Sequence, residues 1–79
     1  MKVKNLIKMA NDMLDIIIYN INDESILFKG AVKDVPYKYL DKKIIKQNPE
    51  DDWGGINICS CNNENGVRIY YLIIFIEEL

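Results

Sequence analysis

The spacing of apolar side chains near the start of the chain predicts a short amphipathic helix. Four apolar residues there recur at intervals of three and four positions: Val3, Leu6, Ile7 and Ala10. That interval places them on one side of a helix, which we expect over residues 2–11. Lysine and asparagine occupy the other side, so this helix is expected to cover one face of a sheet and to carry no chemistry of its own.

The remainder of the chain predicts strands that are joined by polar turns and one short helix. β-Branched and aromatic side chains dominate five stretches, residues 13–21, 26–35, 42–47, 56–61 and 67–76. Pro36 favours the first turn of a helix over residues 36–41, with Asp34 near its N-cap. Asn65 and Gly66 suit the positive φ values of a hairpin turn. The order predicts an α+β fold: an N-terminal helix, an antiparallel sheet of about five strands, and one short helix between strands two and three.

The first and last predicted strands are apolar on both faces. In the last strand, Val67, Ile69, Tyr71, Ile73 and Phe75 alternate with Arg68, Tyr70, Leu72, Ile74 and Ile76. In a sheet with one solvent-exposed face, apolar and polar residues alternate along each strand instead. Two short helices can cover only one face of such a sheet. The second face therefore needs a strongly curled sheet that closes on itself, a second copy of the chain, or a different protein. A bulge at Gly30 would help such closure.

Length, composition and charge exclude several classes of protein. The 79 residues predict a single domain over residues 1–79, and the 49% of apolar residues are too many for a disordered chain. The net charge of −2 is unlike the basic surface of a nucleic-acid-binding protein. The longest apolar run, Ile69–Ile76, is far shorter than the ~20 residues of a membrane helix. No signal-like apolar segment follows Lys2 and Lys4, so we expect a cytoplasmic protein.

The residue types needed for catalysis are scarce. Histidine is absent, which removes histidine-dependent nucleophile pairs, imidazole metal sites and the usual general base near neutral pH. The glycines match no phosphate-binding loop. Cys59 and Cys61 supply half of the ligands of a structural zinc site, and we interpret them as reduced thiols on a sheet face. We therefore expect no enzymatic activity, no catalytic residue, no metal and no cofactor.

The stretch Asn48–Gly55 places three acids directly before the only tryptophan, Trp53. The spacing of the acids does not match an EF-hand loop, so we interpret the stretch as a solvated connection between strands. Trp53 has two open interpretations. It packs over the core, or it anchors a partner, since tryptophan is enriched at interface hot spots. The candidate partner-binding residues are Glu50, Asp51, Asp52, Trp53, Tyr70 and Tyr71.

One segment carries a resemblance to known proteins: Gly30-Ala-Val-Lys-Asp-Val-Pro-Tyr-Lys-Tyr-Leu-Asp-Lys-Lys-Ile-Ile45. It is similar to a segment of small, uncharacterised proteins encoded by phages and prophages of low-GC Gram-positive bacteria. Those proteins share a short N-terminal helix, a strand ending near Lys-Asp-Val/Ile-Pro, a short helix ending Leu-Asp and a closing apolar strand. Small phage proteins often bind one host protein, including defence nucleases.

The resemblance implies the habitat of a phage or mobile-element protein in a host cell. Together with the scarcity of catalytic residues and the second apolar face, it predicts a non-catalytic protein-binding role in the host cytoplasm. The expected function is inhibition of a bacterial host or defence protein, in the manner of an anti-CRISPR protein, without direct contact to nucleic acid or membrane. The alternative is a self-associating structural or assembly protein, such as a homodimer, with no host target.

Overall fold

The computed structural model describes residues 1–11, 14–46 and 54–78. Within these ranges the chain forms two short α-helices and four strands, and a 3₁₀ turn over Val32–Asp34. The elements are α1 (Val3–Met9), β1 (Asp15–Asn20), β2 (Ile26–Ala31), α2 (Tyr37–Leu40), β3 (Asn57–Asn62) and β4 (Arg68–Ile76). The architecture is α+β, as the sequence predicts.

The four strands form one mixed sheet in the order β2-β1-β4-β3. The β1–β2 and β3–β4 neighbours are antiparallel hairpins, whereas β1 and β4 run parallel in the middle of the sheet. The sheet is not strongly curled, which was one of the alternatives, and the prediction of about five antiparallel strands is wrong. It assumed that strands pair with their neighbours in sequence, but here the first strand of one hairpin joins the second strand of the other.

The segment predicted as the third strand, residues 42–47, forms no regular strand over its described part. Lys43 makes only an isolated bridge with Lys2, and the Ile44 N–H donates to the Met1 carbonyl at 2.9 Å. One further hydrogen bond, 2.9 Å from the Ile45 N–H to the Phe75 carbonyl, attaches this segment beside β4. The extended chain thus joins the start of α1 to the sheet and does not add a strand.

Gly30 does not mark a bulge. The register of β1 against β2 shifts between Ile18 and Tyr19, while Gly30 pairs regularly with Ile16. A Cβ atom at Gly30 would lie 3.1 Å from the tip of the Phe28 ring. The absence of a side chain at this position therefore leaves room for the ring.

The structure also differs from the prediction at the cap of α2 and in the turn between β3 and β4. Asp34 lies in the 3₁₀ turn, and Pro36 occupies the N-cap of α2 without a side-chain hydrogen bond. In the β3–β4 turn, Gly66 has a φ of 77°, whereas Asn65 has no positive φ. The Asn63 side-chain oxygen stabilises this turn by accepting from the Asn65 N–H at 2.9 Å and the Val67 N–H at 3.0 Å.

The core lies between the helices and one face of the sheet, here called the covered face. Its residues in the two central strands are buried: Ile16, Ile18, Asn20, Leu72, Ile74 and Ile76. Val3 and Leu6 of α1 pack onto them, together with Val32, Tyr39 and Ile44. Burial of each large apolar side chain contributes about 1.5–3 kcal/mol. This layer holds both central strands in place. It therefore also determines which side chains lie on the opposite face of the sheet.

An exposed ion pair joins α1 to the residue that follows α2. Lys4 Nζ lies 3.1 Å from an Asp41 carboxylate oxygen. The hydrogen bond and the charge of Lys4, with a smaller contribution from Lys2, lower the pKa of Asp41 below its ordinary value. Such a pair stabilises the fold above the ordinary pKa of aspartate, and this stabilisation is lost as the pH falls through the lowered value.

We expect Lys4→Met to raise the pKa of Asp41 towards its ordinary value, because the main hydrogen-bond donor is removed. Carboxyl titration by NMR measures this shift. Lys8→Met, in the same helix, is the matched control and should leave the titration of Asp41 unchanged. Equal titration of Asp41 in the wild type and in Lys4→Met would contradict the pairing.

Candidate functional site

The second face of the sheet, here called the open face, carries an apolar stripe. Alternation along the paired strands assigns these residues to it: Lys29 and Ala31 of β2; Asp15, Ile17 and Tyr19 of β1; Ile69, Tyr71, Ile73 and Phe75 of β4; Asn57, Cys59 and Cys61 of β3. None of them belongs to the core cluster or packs against it, and both helices contribute to that cluster from the other side. The prediction that the first and last strands are apolar on both faces is therefore confirmed.

The centre of the open face is built from register partners of the two parallel strands. Tyr19 and Phe75 are partners, and their rings stack with centroids 5.1 Å apart and planes inclined by 19°. Ile17 and Ile73 form the next row. Stacked pairs of this kind contribute about 0.5–1.5 kcal/mol beyond the burial of their area. The aromatic pair is thus held in place by the sheet itself.

Tyr71 and Cys59 form a cross-strand pair at the β3 side of the open face. Partial removal from water raises the pKa of the Tyr71 hydroxyl, and the neighbouring Cys59 and Cys61 side chains raise it further. Both cysteines are free thiols, Cys59 half-buried and Cys61 exposed. The phenol therefore remains protonated at neutral pH and offers a neutral polar group beside the apolar stripe.

A groove of about 540 Å³ lies where the open face meets the β3–β4 hairpin. β1 begins at Asp15 opposite Tyr71, whereas β4 begins at Arg68, so the hairpin extends past the end of β1. The groove is lined mainly by open-face residues, among them Asp15, Ile17, Lys29, Cys61, Ile69 and Tyr71. Its lining is mainly apolar and includes one acid and one lysine. Such a groove suits an apolar side chain of a partner that has polar residues beside it.

The β3–β4 hairpin also concentrates exposed apolar side chains. Four large ones have exposed fractions of 40% to 62%: Ile58, Val67, Ile69 and Tyr70. Ile69 lies on the open face, whereas Ile58 and Tyr70 point to the other side of the hairpin. Clustered exposed apolar groups mark a contact surface more often than scattered ones. The hairpin therefore extends the candidate site beyond the centre of the sheet.

The residues predicted from sequence are distributed unevenly over this site. Tyr71 lies on the open face, while Tyr70 points to the opposite face and is 51% exposed. Both residues line the groove. The other four candidates, Glu50, Asp51, Asp52 and Trp53, lie outside the described residues.

Sequence reasoning did not select the residues at the centre of the open face. These are Ile17, Tyr19, Ile73 and Phe75. Their signal was present in the apolar alternation of the two strands. The stacking of Tyr19 on Phe75 depends on the parallel register of β1 and β4, which alternation alone does not reveal.

Comparison with protein families, with curated proteins and with solved structures finds no match. Over residues 1–11, 14–46 and 54–78, no three acidic or cysteine side chains come close enough together to hold a metal ion. In the same ranges no helix has both the length and the apolar character needed to cross a bilayer.

Proposed function

We propose that this chain is a non-catalytic protein-binding module that contacts its partner through the open face. The observation that carries the proposal is the apolar stripe outside the core cluster. Contiguous apolar patches larger than a few hundred Å² are rare on monomeric proteins and typically mark interaction sites. The open face places half-buried isoleucine and aromatic side chains next to each other, outside the core cluster.

The open face suits a protein partner because its anchors are already ordered. Tyr19 and Phe75 are stacked on each other, so little side-chain entropy is lost when a partner covers them. Tyr71 adds a neutral hydroxyl beside them, and aromatic residues dominate the binding energy of many interfaces. A partner with an apolar ridge bordered by polar groups would fit the stripe and the adjoining groove.

The resemblance of residues 30–45 to phage and prophage proteins supports a host protein as the partner. In that setting the module acts in the cytoplasm of a bacterial cell and inhibits a host or defence protein, such as a CRISPR nuclease. Occupying a functional surface of the target is sufficient for inhibition. Such a role therefore requires an apolar surface that is complementary in shape to the target, and it requires no catalytic group.

Replacing Ile17 and Ile73 together by serine is expected to weaken partner binding by about 100-fold, because each lost apolar contact is worth on the order of 1.5 kcal/mol. Affinity capture from a lysate of a Gram-positive bacterium identifies the partner, and isothermal titration with the purified partner measures the change. Circular dichroism checks that the variant is folded.

The matched control is Tyr37→Ser, because Tyr37 is 90% exposed on α2 and lies away from the open face. It should capture the same host protein with unchanged affinity. Equal capture by all three proteins would show that binding does not use the open face. Failure to enrich any host protein over an unrelated domain of similar size would remove the proposed role.

A further inference from the structure

β3 forms one edge of the sheet, and nothing in its sequence blocks the addition of another strand. Natural edge strands usually carry lysine, proline or a bulge that prevents such addition. β3 reads Asn-Ile-Cys-Ser-Cys-Asn and pairs with β4 over its whole length without a register shift. The opposite edge, β2, contains Lys29 and pairs with β1 through a register shift. Among the residues that the structure describes, the two edges of the sheet thus differ, and β3 is the edge without lysine, proline or a bulge.

The hydrogen bonds of the hairpin show which backbone groups of β3 face outward. The Asn63 N–H donates to the Val67 carbonyl at 2.9 Å, so these two residues form a hydrogen-bonded pair. Hydrogen-bonded and non-hydrogen-bonded pairs alternate along an antiparallel ladder. The residues directed at β4 are therefore Asn57, Cys59 and Cys61. The residues with outward N–H and C=O groups are Ile58, Ser60 and Asn62.

We infer that this edge pairs antiparallel with the β3 edge of a second copy of the chain, about a twofold axis at Ser60. Ser60 then opposes Ser60 of the second copy, and Ile58 opposes Asn62 of the second copy. This register brings every outward residue of one strand opposite an outward residue of the other. Moving the axis to Cys59 or Cys61 would leave only two outward residues of each β3 opposite outward residues instead of three, so the register centred on Ser60 makes the most hydrogen bonds.

The side chains of β3 favour a second copy because the strand is complementary to itself. It carries no charge, so the symmetric arrangement opposes no like charges. Tyr70 lies across from Ser60 within each hairpin. The two paired serines are therefore flanked by one tyrosine on each side. These tyrosines are 51% exposed in the single chain, and the added strand partly covers them.

The paired strands would also extend the apolar stripe. On the side of the open face, Cys59 opposes Cys61 of the second copy, and no charged side chain interrupts the row. A junction of two short strands buries less than the ~1,200 Å² of most stable complexes. The dimer is therefore expected to depend on concentration, with a dissociation constant of about micromolar or weaker.

The two cysteines report the register directly. In an antiparallel sheet, non-hydrogen-bonded partners have Cα atoms about 4.5 Å apart, within the ~4.4–6.8 Å that a disulfide spans. Cys59 of one copy and Cys61 of the other are such partners in the centred register. Two cysteines with the same number are not opposite each other there and lie too far apart. Both thiols are free, as the reaction requires.

Oxidation of single-cysteine variants by diamide tests this arrangement. The reagent takes two electrons and two protons from a pair of thiols, becomes a hydrazine, and leaves one disulfide. Cys59→Ser alone and Cys61→Ser alone are expected to stay almost free of disulfide-linked dimer. An equal mixture of the two variants should form it at least ~10-fold faster, since only a mixed dimer places unlike cysteines opposite each other. The same mixture in urea is the control for random collision.

A second measurement requires no cysteine chemistry. Ser60→Pro removes an outward N–H without breaking a hydrogen bond to β4, and proline is tolerated at such edge positions. In sedimentation velocity, Ser60→Pro should remain monomeric at concentrations where the wild type and the control Ser60→Ala dimerise. Circular dichroism checks that the proline variant is folded.

Three outcomes would overturn the inference. They are cross-linking of either single variant as fast as the mixture, a wild type that stays monomeric at high concentration, and unchanged association of Ser60→Pro. All measurements use the chain alone, and the edge is a different surface from the open face. Failure here therefore leaves the proposed host partner untouched, and failure to find a host partner leaves the dimer untouched.

Discussion

Ile74→Ala is expected to lower the free energy of unfolding by about 2–5 kcal/mol, because it removes a buried side chain and leaves a cavity. Ile74 is fully buried, and its register partner Ile18 is fully buried as well. Natural domains are stable by only about 5–15 kcal/mol, and a short chain lies towards the lower end. Urea unfolding followed by far-ultraviolet circular dichroism measures the loss.

The neighbouring residue provides the matched control, since Ile73 is the same residue type in the same strand but lies on the open face. It is half-buried by its neighbours and not by a covering layer. Ile73→Ala should therefore cost about 1 kcal/mol, less than half of the loss at Ile74. Equal losses at the two positions would show that the free chain already covers both faces. The open face would then no longer support a binding role.

The two-faced character of the central strands could be predicted from sequence, and the sheet order could not. The alternation of apolar residues along β4 assigned Leu72 and Ile74 to one face and Ile73 to the other before any pairing was known. Which strands pair could not be predicted in this way, because β-branched residues favour strand formation but do not determine the neighbouring strand. The parallel contact of Asp15 with Tyr71 joins segments that are far apart in sequence, and nothing local to either segment encodes it.

The same limit explains why the candidate site was found only in part. Tyr70 and Tyr71 were selected together as adjacent aromatic residues, but adjacent residues of a strand point to opposite faces. The open face instead pairs Tyr71 with Cys59 and stacks Tyr19 on Phe75. Those contacts require the registers of β3–β4 and β1–β4. Composition could exclude histidine chemistry, but it could not assemble this surface.

The open face and the β3 edge are separate surfaces that can act together. A twofold axis at Ser60 runs perpendicular to the sheet, so antiparallel pairing keeps both open faces on the same side. The two apolar stripes would then lie next to each other in one continuous sheet. A dimer would therefore present a partner with about twice the contact surface of one chain, and two linked contacts bind far more tightly than either contact alone.

The second large effect is expected at Asn20, the buried polar residue at the end of β1. Asn20 is 8% exposed, and its side-chain N–H donates to the Glu78 carbonyl at 3.0 Å. Its side-chain oxygen accepts from the Asn22 N–H at 3.1 Å and from the Glu78 N–H at 3.4 Å. One amide thus ties the turn after β1 to the segment after β4, and it holds the ends of the two parallel strands together.

Asn20→Asp keeps the shape of the side chain but removes its donor and places a carboxylate oxygen against the Glu78 carbonyl. We expect a loss of about 2–4 kcal/mol near neutral pH, because a buried group loses its partner and gains a charge. Burial should raise the pKa of the new carboxyl above the ~3.9 of an unfolded chain. The folded variant then binds its proton at higher pH than the unfolded one, so the loss relative to wild type shrinks as the pH falls through the raised pKa.

Urea unfolding of Asn20→Asp and wild type between neutral and mildly acidic pH measures this difference. Asn22→Asp is the control, because Asn22 is exposed and its side-chain N–H lies at the longer distance of 3.5 Å from the Glu78 carbonyl. That variant should change stability by less than about 0.5 kcal/mol at any pH. A loss at Asn20→Asp that stays constant with pH would contradict the assigned donor, since a protonated acid restores it and a charged acid does not. The parallel pairing that builds the open face would then be held by its apolar contacts and its backbone hydrogen bonds, such as the 2.8 Å bond from the Ile21 N–H to the Ile76 carbonyl.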